Sequence, residues 1–226
     1  MRMIRQFALC LSMAMVACSS QSTPPGAQAH DAGVSAGHDP QTADAGELST
    51  LGTLDTQILG GLLPDGAKLI DSVIGDLTGR DLQEGVLVVE DTGDTTERAL
   101  GNGPARTVIL LTRDASGALR EAARNDRIVP CARCGGMAGD PYGFTRVDAG
   151  ELTISVSGGS RERWFADYVF HYEPTHAQWM LDRVARGVTD TQTDLGERQA
   201  LTRSDLGEIG FASFDPQGLP EAPTLD

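Results

Sequence analysis

The chain is poor in lysine, in aromatic residues and in long apolar runs. Lys68 is the only lysine, and 18 Lys plus Arg face 32 Asp plus Glu for a formal charge of -14. Such a surface repels phosphate backbones, which excludes nucleic acid as a natural partner. Aromatic residues make up 5% of the chain, and Phe7 is the only one before Tyr142. The longest apolar run, at 7–17, is too short to cross a bilayer as a helix. No segment recurs at a fixed period, so a propeller or solenoid is excluded. With 40% hydrophobic residues and 27 glycines, the composition suits a loop-rich globular domain and rules out a wholly disordered chain.

Arg2 and Arg5 precede the apolar run at 7–17, the layout of a secretory signal. The run ends in Met15-Val16-Ala17-Cys18, which resembles the lipobox of bacterial lipoproteins, with Met15 in place of the usual aliphatic residue. That resemblance implies cleavage after residue 17, acylation of Cys18 and anchoring to the membrane by lipid. Ser19 and Ser20, where a retained lipoprotein usually carries Asp, imply sorting to the outer membrane, most simply facing the periplasm. Loss of residues 1–17 removes two arginines and no acid, so the mature chain is more acidic still.

Residues 18–50 hold Ser, Ala, Gly, Asp, Pro, Gln and Thr, with Val34 and Leu48 as the only larger aliphatics. They have too little apolar surface to offset the entropy of ordering, and are expected to form a flexible tether with a reach of roughly 30 Å. His30 and His38 within it are too few for a metal site. A globular domain is expected over 51–214, followed by a flexible tail at 215–226.

Within that domain, 152–157 alternates Leu, Ile and Val with hydroxyls, the pattern of a half-buried strand. From 164 to 172 every second residue reads Trp, Ala, Tyr, Phe, Tyr, giving a second strand one aromatic face. A turn at 173–176 leads into a third strand at 178–184. The aliphatic runs at 86–89 and 108–111 fit strands buried on both faces, while 118–124 and 206–214 read as edge strands. Only 51–63 has helical spacing. Seven to nine strands joined by short loops predict an all-β, mainly antiparallel domain, either a sandwich or an open barrel.

Three local patterns bear on chemistry. The first, GDLTGRDLQE at 75–84, resembles the calcium-binding GDxNGDGxxD loop of FG-GAP repeats, with Asp76, Thr78, Asp81 and Glu84 as the corresponding oxygen donors. Arg80 occupies the place of a central Asp and brings positive charge into the cation position, so the expectation is a turn that keeps its shape without the ion. The second is Cys131-Ala132-Arg133-Cys134. Cys10 leaves with the signal and Cys18 takes the lipid, so these are the only thiols left in an oxidising compartment. A local disulfide is the simplest outcome. A metal site would have to recruit His171 or His176, and a redox role would need a helix after the pair, where Gly-rich sequence stands instead.

The third pattern, GGSRERW at 158–164, reads as a hairpin turn opening the aromatic strand. It lacks the GxSxG elbow that would make Ser160 a nucleophile, and His171 reads as a partly buried histidine among aromatics. The loop at 75–91 together with the CGG…GDPY and GGS…RW blocks resembles a group of secreted or lipid-anchored bacterial proteins of uncharacterised function. The resemblance covers 64–184 and implies one domain. It carries no activity.

The functional expectation is therefore a non-catalytic binding module in the cell envelope, whose partner is an envelope protein or a cell-wall glycan, without a cofactor. Tyr142, Arg161, Arg163 and Trp164 form the expected ligand face, because Arg and aromatic side chains at turns favour contact with proteins and sugars. Two other functions fit the same sequence: an inhibitor or immunity protein whose acidic surface covers a wall-degrading enzyme, and an envelope hydrolase using Ser160 or His171.

Overall fold

A computed structural model describes residues 61–92 and 101–225. The signal, Cys18, the tether and most of the segment expected to be helical lie outside these residues. The described chain is a mainly antiparallel β-sandwich with no closed barrel. Strands β1 (Ala67–Gly75), β2 (Glu84–Asp91), β3 (Arg106–Arg113) and β4 (Leu119–Val129) form one sheet in chain order. Strands β5 (Tyr142–Asp148), β6 (Glu151–Gly159), β7 (Glu162–Glu173), β8 (Gln178–Asp190) and β9 (Gly196–Thr202) form the other, also in chain order. Every neighbouring pair is antiparallel, so both sheets are simple meanders.

The core follows the sequence pattern. Alternate residues Val86 and Val88 of β2 and Val108 and Leu110 of β3 face inward and meet Leu152, Ile154 and Val156 of β6 and Tyr168 and Phe170 of β7. The alternate set Leu87, Val89, Ile109 and Leu111 points to the opposite side of its sheet, where Leu62 and Leu63 pack against it. Continuous aliphatic runs are thus buried on both faces, as their lack of alternation requires.

Two C-terminal expectations are corrected. Residues 206–214 do not form an edge strand. After β9 the short helix α1 (Arg203–Leu206) ends at Gly207, and a single bridge joins Met180 to Gly210 before a 3₁₀ turn over Phe211–Ser213. Phe211 and Phe214, three residues apart, present both rings on one side of this turn, and they stack edge-on against Tyr168 and Phe170. Asn125 of β4 locks the turn by donating from its buried Nδ2 to the Phe211 and Phe214 carbonyls at 2.6 and 2.8 Å. Residues 215–225 are not a free tail either: Leu219 packs on the core, and Arg186 donates to the carbonyls of Pro220 and Glu221.

Other bounds differ by degree. The third expected strand continues to Asp190 and the one at 118–124 to Val129. Strands β1, β5 and β9 were not legible as strands.

Candidate functional site

The β6–β7 hairpin forms as its glycines predict. Gly159 has φ 103°, a conformation that favours glycine, and Gly158 pairs with Trp164 across the ladder. A Cβ on Gly158 would lie 2.6 Å from the Trp164 ring. The indole therefore lies flat on a backbone that only glycine allows.

The four residues expected to share a ligand face do not. Arg163 and Trp164 are consecutive on a strand, so their side chains leave opposite faces of the sheet. Trp164 packs on the core side, while Arg163 is exposed and, among the described residues, has a single contact, 3.4 Å to the Gly159 carbonyl. Arg161 is held in the hairpin by two hydrogen bonds to Asp190 Oδ2, at 2.9 and 2.6 Å. That contact keeps the Asp190 carboxyl below its ordinary range. Tyr142 is half-buried and ties the two sheets together, its hydroxyl donating to Asp71 Oδ2 at 2.5 Å and lying 2.9 Å from Thr145 Oγ1. Burial, reinforced by the Asp71 carboxylate, pushes the Tyr142 hydroxyl pKa upward.

The CGG…GDPY block is the crossover between sheets, and it docks on the GGS…RW block. Cys131 and Cys134 are joined in a disulfide with Cα atoms 5.1 Å apart. Gly159 N donates to the Gly135 carbonyl at 2.9 Å, Ser157 N to that of Pro141 at 2.8 Å, and the Gly135 Cα lies 3.0 Å from where a Gly158 Cβ would sit. Asp140 grips the buried Arg106 of β3 through both oxygens, at 2.6 and 2.7 Å, while Glu90 takes the same guanidinium at 3.0 Å. The bonded pair is followed by a 3₁₀ turn at Gly136–Ala138, not by the helix that a thioredoxin-like site needs. His171 lies toward the far end of β7 and His176 in the turn after it, and among the described residues neither joins the cysteines in a metal-ligating group.

Beside this seam the two sheets part to leave a cleft of ≈ 340 Å³. Its floor holds Trp164 and Tyr168 of β7 with Val156 of β6, and the disulfide and Pro130 form one wall. The opposite rim is Asp126 and Arg127 from β4 with Asp215 and Gln217 from the C-terminal segment. Arg127 lies 3.9 Å from Asp126 and 3.8 Å from Asp215 and donates to the Ala212 carbonyl at 3.0 Å. Tyr168 is 6% exposed, and burial raises its pKa to about 12. Among the described residues neither its hydroxyl nor the Trp164 indole N–H has a hydrogen-bond partner, whereas the other indole, Trp179, donates to the Leu77 carbonyl at 2.9 Å. Two unspent polar groups thus share one aromatic floor.

Sequence reasoning found Trp164 here and placed Tyr168 on the aromatic face. The rim escaped it, because Asp126 and Asp215 meet only through the fold and no local pattern marks them.

The calcium-like loop is closed by its own side chains. Arg80 donates to Glu84 Oε1 at 3.1 Å and to Thr78 Oγ1 at 2.8 Å, and Thr78 donates to Glu84 Oε2 at 2.8 Å. Asp76 accepts the backbone N–H groups of Arg80 and Asp81 at 2.9 and 2.8 Å. Although its burial opposes ionisation, these bonds lower its pKa. Asp81 has φ 57°, the left-handed region, at the position where the FG-GAP pattern carries glycine. The guanidinium thus sits among the oxygens of Thr78 and Glu84, and the loop docks through Leu77 into the core and through Asp76 O on Gly150 N.

Ser160 lies in the turn before β7 and His171 near its other end, about 30 Å away along the strand. His171 is exposed on the outer face of the sheet, not partly buried among aromatics. Comparison with protein-family models, with curated proteins and with solved structures gave no match.

Proposed function

We propose that the chain is a non-catalytic binding module of the bacterial cell envelope, carried on an outer-membrane lipid anchor at Cys18 and taking its ligand in the Trp164–Tyr168 cleft. One observation carries this reading: a rigidly backed indole and a nearly buried phenol, both with unpaired polar atoms, line a single opening of ligand size. The hydrolase alternative, which needs Ser160 or His171 in an ordered pocket beside an Asp, draws less support, since both residues are exposed and neither lines the cleft.

The test is capture of envelope components by cross-linking to the full lipidated protein, read by mass spectrometry of proteins and attached glycans. Wild type is set beside Trp164→Leu and the rim variant Gln217→Lys. A component recovered by wild type and lost from both variants, with folding unchanged, supports the cleft. Equal recovery by all three proteins overturns it.

A further inference from the structure

The chemistry of the cleft narrows its ligand, on the reading that it is a binding site. Among the described residues Arg127 is its one basic lining residue, and that guanidinium donates to the Ala212 carbonyl and lies 3.9 and 3.8 Å from the Asp126 and Asp215 carboxylates. A phosphate or carboxylate would meet the Asp126 and Asp215 carboxylates, which outnumber the one lining guanidinium among the described residues, in a chain of formal charge -14. A purely hydrocarbon ligand would do no better. It would seal the Tyr168 hydroxyl and the Trp164 N–H away from water without partners, which disfavours binding.

A cationic ligand would have to share both carboxylates with Arg127. What remains is a neutral molecule with one apolar face for the indole, acceptor oxygens for the two inner groups, and hydroxyl donors for the acidic rim. Pyranose rings combine these features, with axial C–H bonds on one face and hydroxyl and ring oxygens at the edge. The ≈ 340 Å³ cleft lies at the small end of ligand sites, room for one or two rings.

We propose that the cleft binds neutral pyranose residues of a glycan, stacked on Trp164 and hydrogen-bonded to Tyr168.

The experiment uses the full chain in a sugar-free detergent, with Trp179→Phe so that Trp164 is the only tryptophan, excited at 295 nm. The probes are chitotriose and maltotriose as neutral glycans, trigalacturonate as an anionic one and 1-anilinonaphthalene as an apolar dye. A saturable change in Trp164 emission with a neutral trisaccharide and none with trigalacturonate is expected. Tyr168→Phe should weaken that binding roughly tenfold while leaving the melting temperature unchanged, because the hydroxyl it removes has no partner in the fold. Binding of trigalacturonate or the dye alone overturns the glycan assignment and leaves the binding-module reading standing. Neutral glycan binding that Tyr168→Phe does not weaken also overturns the assignment as drawn. Silence with every probe, together with equal envelope capture by wild type and cleft variants, overturns both.

Discussion

The two sheets of the sandwich are built on different rules. The four-stranded sheet contains no aromatic residue, and its central strands β2 and β3 are aliphatic on both faces. The five-stranded sheet alternates: Trp164, Tyr168, Phe170 and Tyr172 turn inward, and Arg163, Asp167 and His171 turn outward. The central strands of the first sheet use nearly all of their side chains to bury surface. The second carries Arg163, Asp167 and His171 on an outer face that also buries Thr153 and Val169, and two of its inner aromatics, Trp164 and Tyr168, line the cleft. The difference separates a scaffold from the layer that carries chemistry.

Truncating the outer face of each sheet would break or confirm that division. Ile109 of β3 is fully buried on the outer side of the four-stranded sheet. Ile109→Ala is expected to cost about 3 kcal/mol in urea unfolding, through lost transfer energy and a cavity. Ser157 of β6 faces out from the other sheet and is exposed. Ser157→Ala should stay within about 0.5 kcal/mol of wild type. Comparable costs at the two positions would mean that both outer faces are packed and that the sheets do not differ in kind.

The same contrast explains what was legible in the sequence. The central strands were readable because they bury complete faces: 86–89 and 108–111 by continuous aliphatics, 152–157 and 164–172 by strict alternation. The strands that escaped, β1, β5 and β9, all lie at sheet edges. In β1 the register slips between Leu69 and Asp71, so Leu69 and Ile74 pack on one side and Ile70 on the other, and no single period fits. In β5 the slip comes between Tyr142 and Phe144. In β9, GERQALT buries Leu201 alone. The expected ligand face failed for a related reason. Tyr142 and Arg161 carry ligand-like side chains whose partners, Asp71 and Asp190, are 71 and 29 residues away, and nothing local shows that they are already engaged.

What joins the unlike sheets is the next point of attack. Arg106 is 2% exposed, and Asp140 and Glu90 neutralise it. Asp140→Asn is expected to destabilise by about 2 kcal/mol at neutral pH, less than for an isolated buried pair because Glu90 remains and Asp140 is half exposed. The pH dependence has a definite sign. Burial works against the Asp140 carboxylate, yet the Arg106 hydrogen bonds carry its folded pKa below 3.8. A depressed carboxyl contributes stability that is fully present above its unfolded pKa and is lost as pH falls through the folded value. Wild type and Asp140→Asn should therefore differ most above pH 4 and converge in more acidic solution. A gap that persists under acid would show that the pair joins the sheets by shape alone and not by charge.

A smaller effect than at Asp140 is expected at the covalent link in the same crossover. Cys131 and Cys134 are three positions apart, so their bond closes a very short loop, and the chain-entropy estimate is no more than about 2 kcal/mol. The loop is also held without it: Cys134 N donates to the Cys131 carbonyl at 2.9 Å, Gly101 N to that of Arg133 at 2.8 Å, and Gly159 N to that of Gly135. Much of the order survives reduction, and the expected loss falls to about 1 kcal/mol, a few degrees in melting temperature. Reduction should matter more to the cleft than to the fold. The disulfide forms part of the cleft wall, and Gly135 approaches the same Gly158 that backs the Trp164 ring. Dithiothreitol is therefore expected to shift Trp164 emission in the Trp179→Phe protein at temperatures where circular dichroism is unchanged. A melting temperature that drops by more than 10 °C would instead make this bond the clamp between the sheets, and the Arg106–Asp140 pair its accessory.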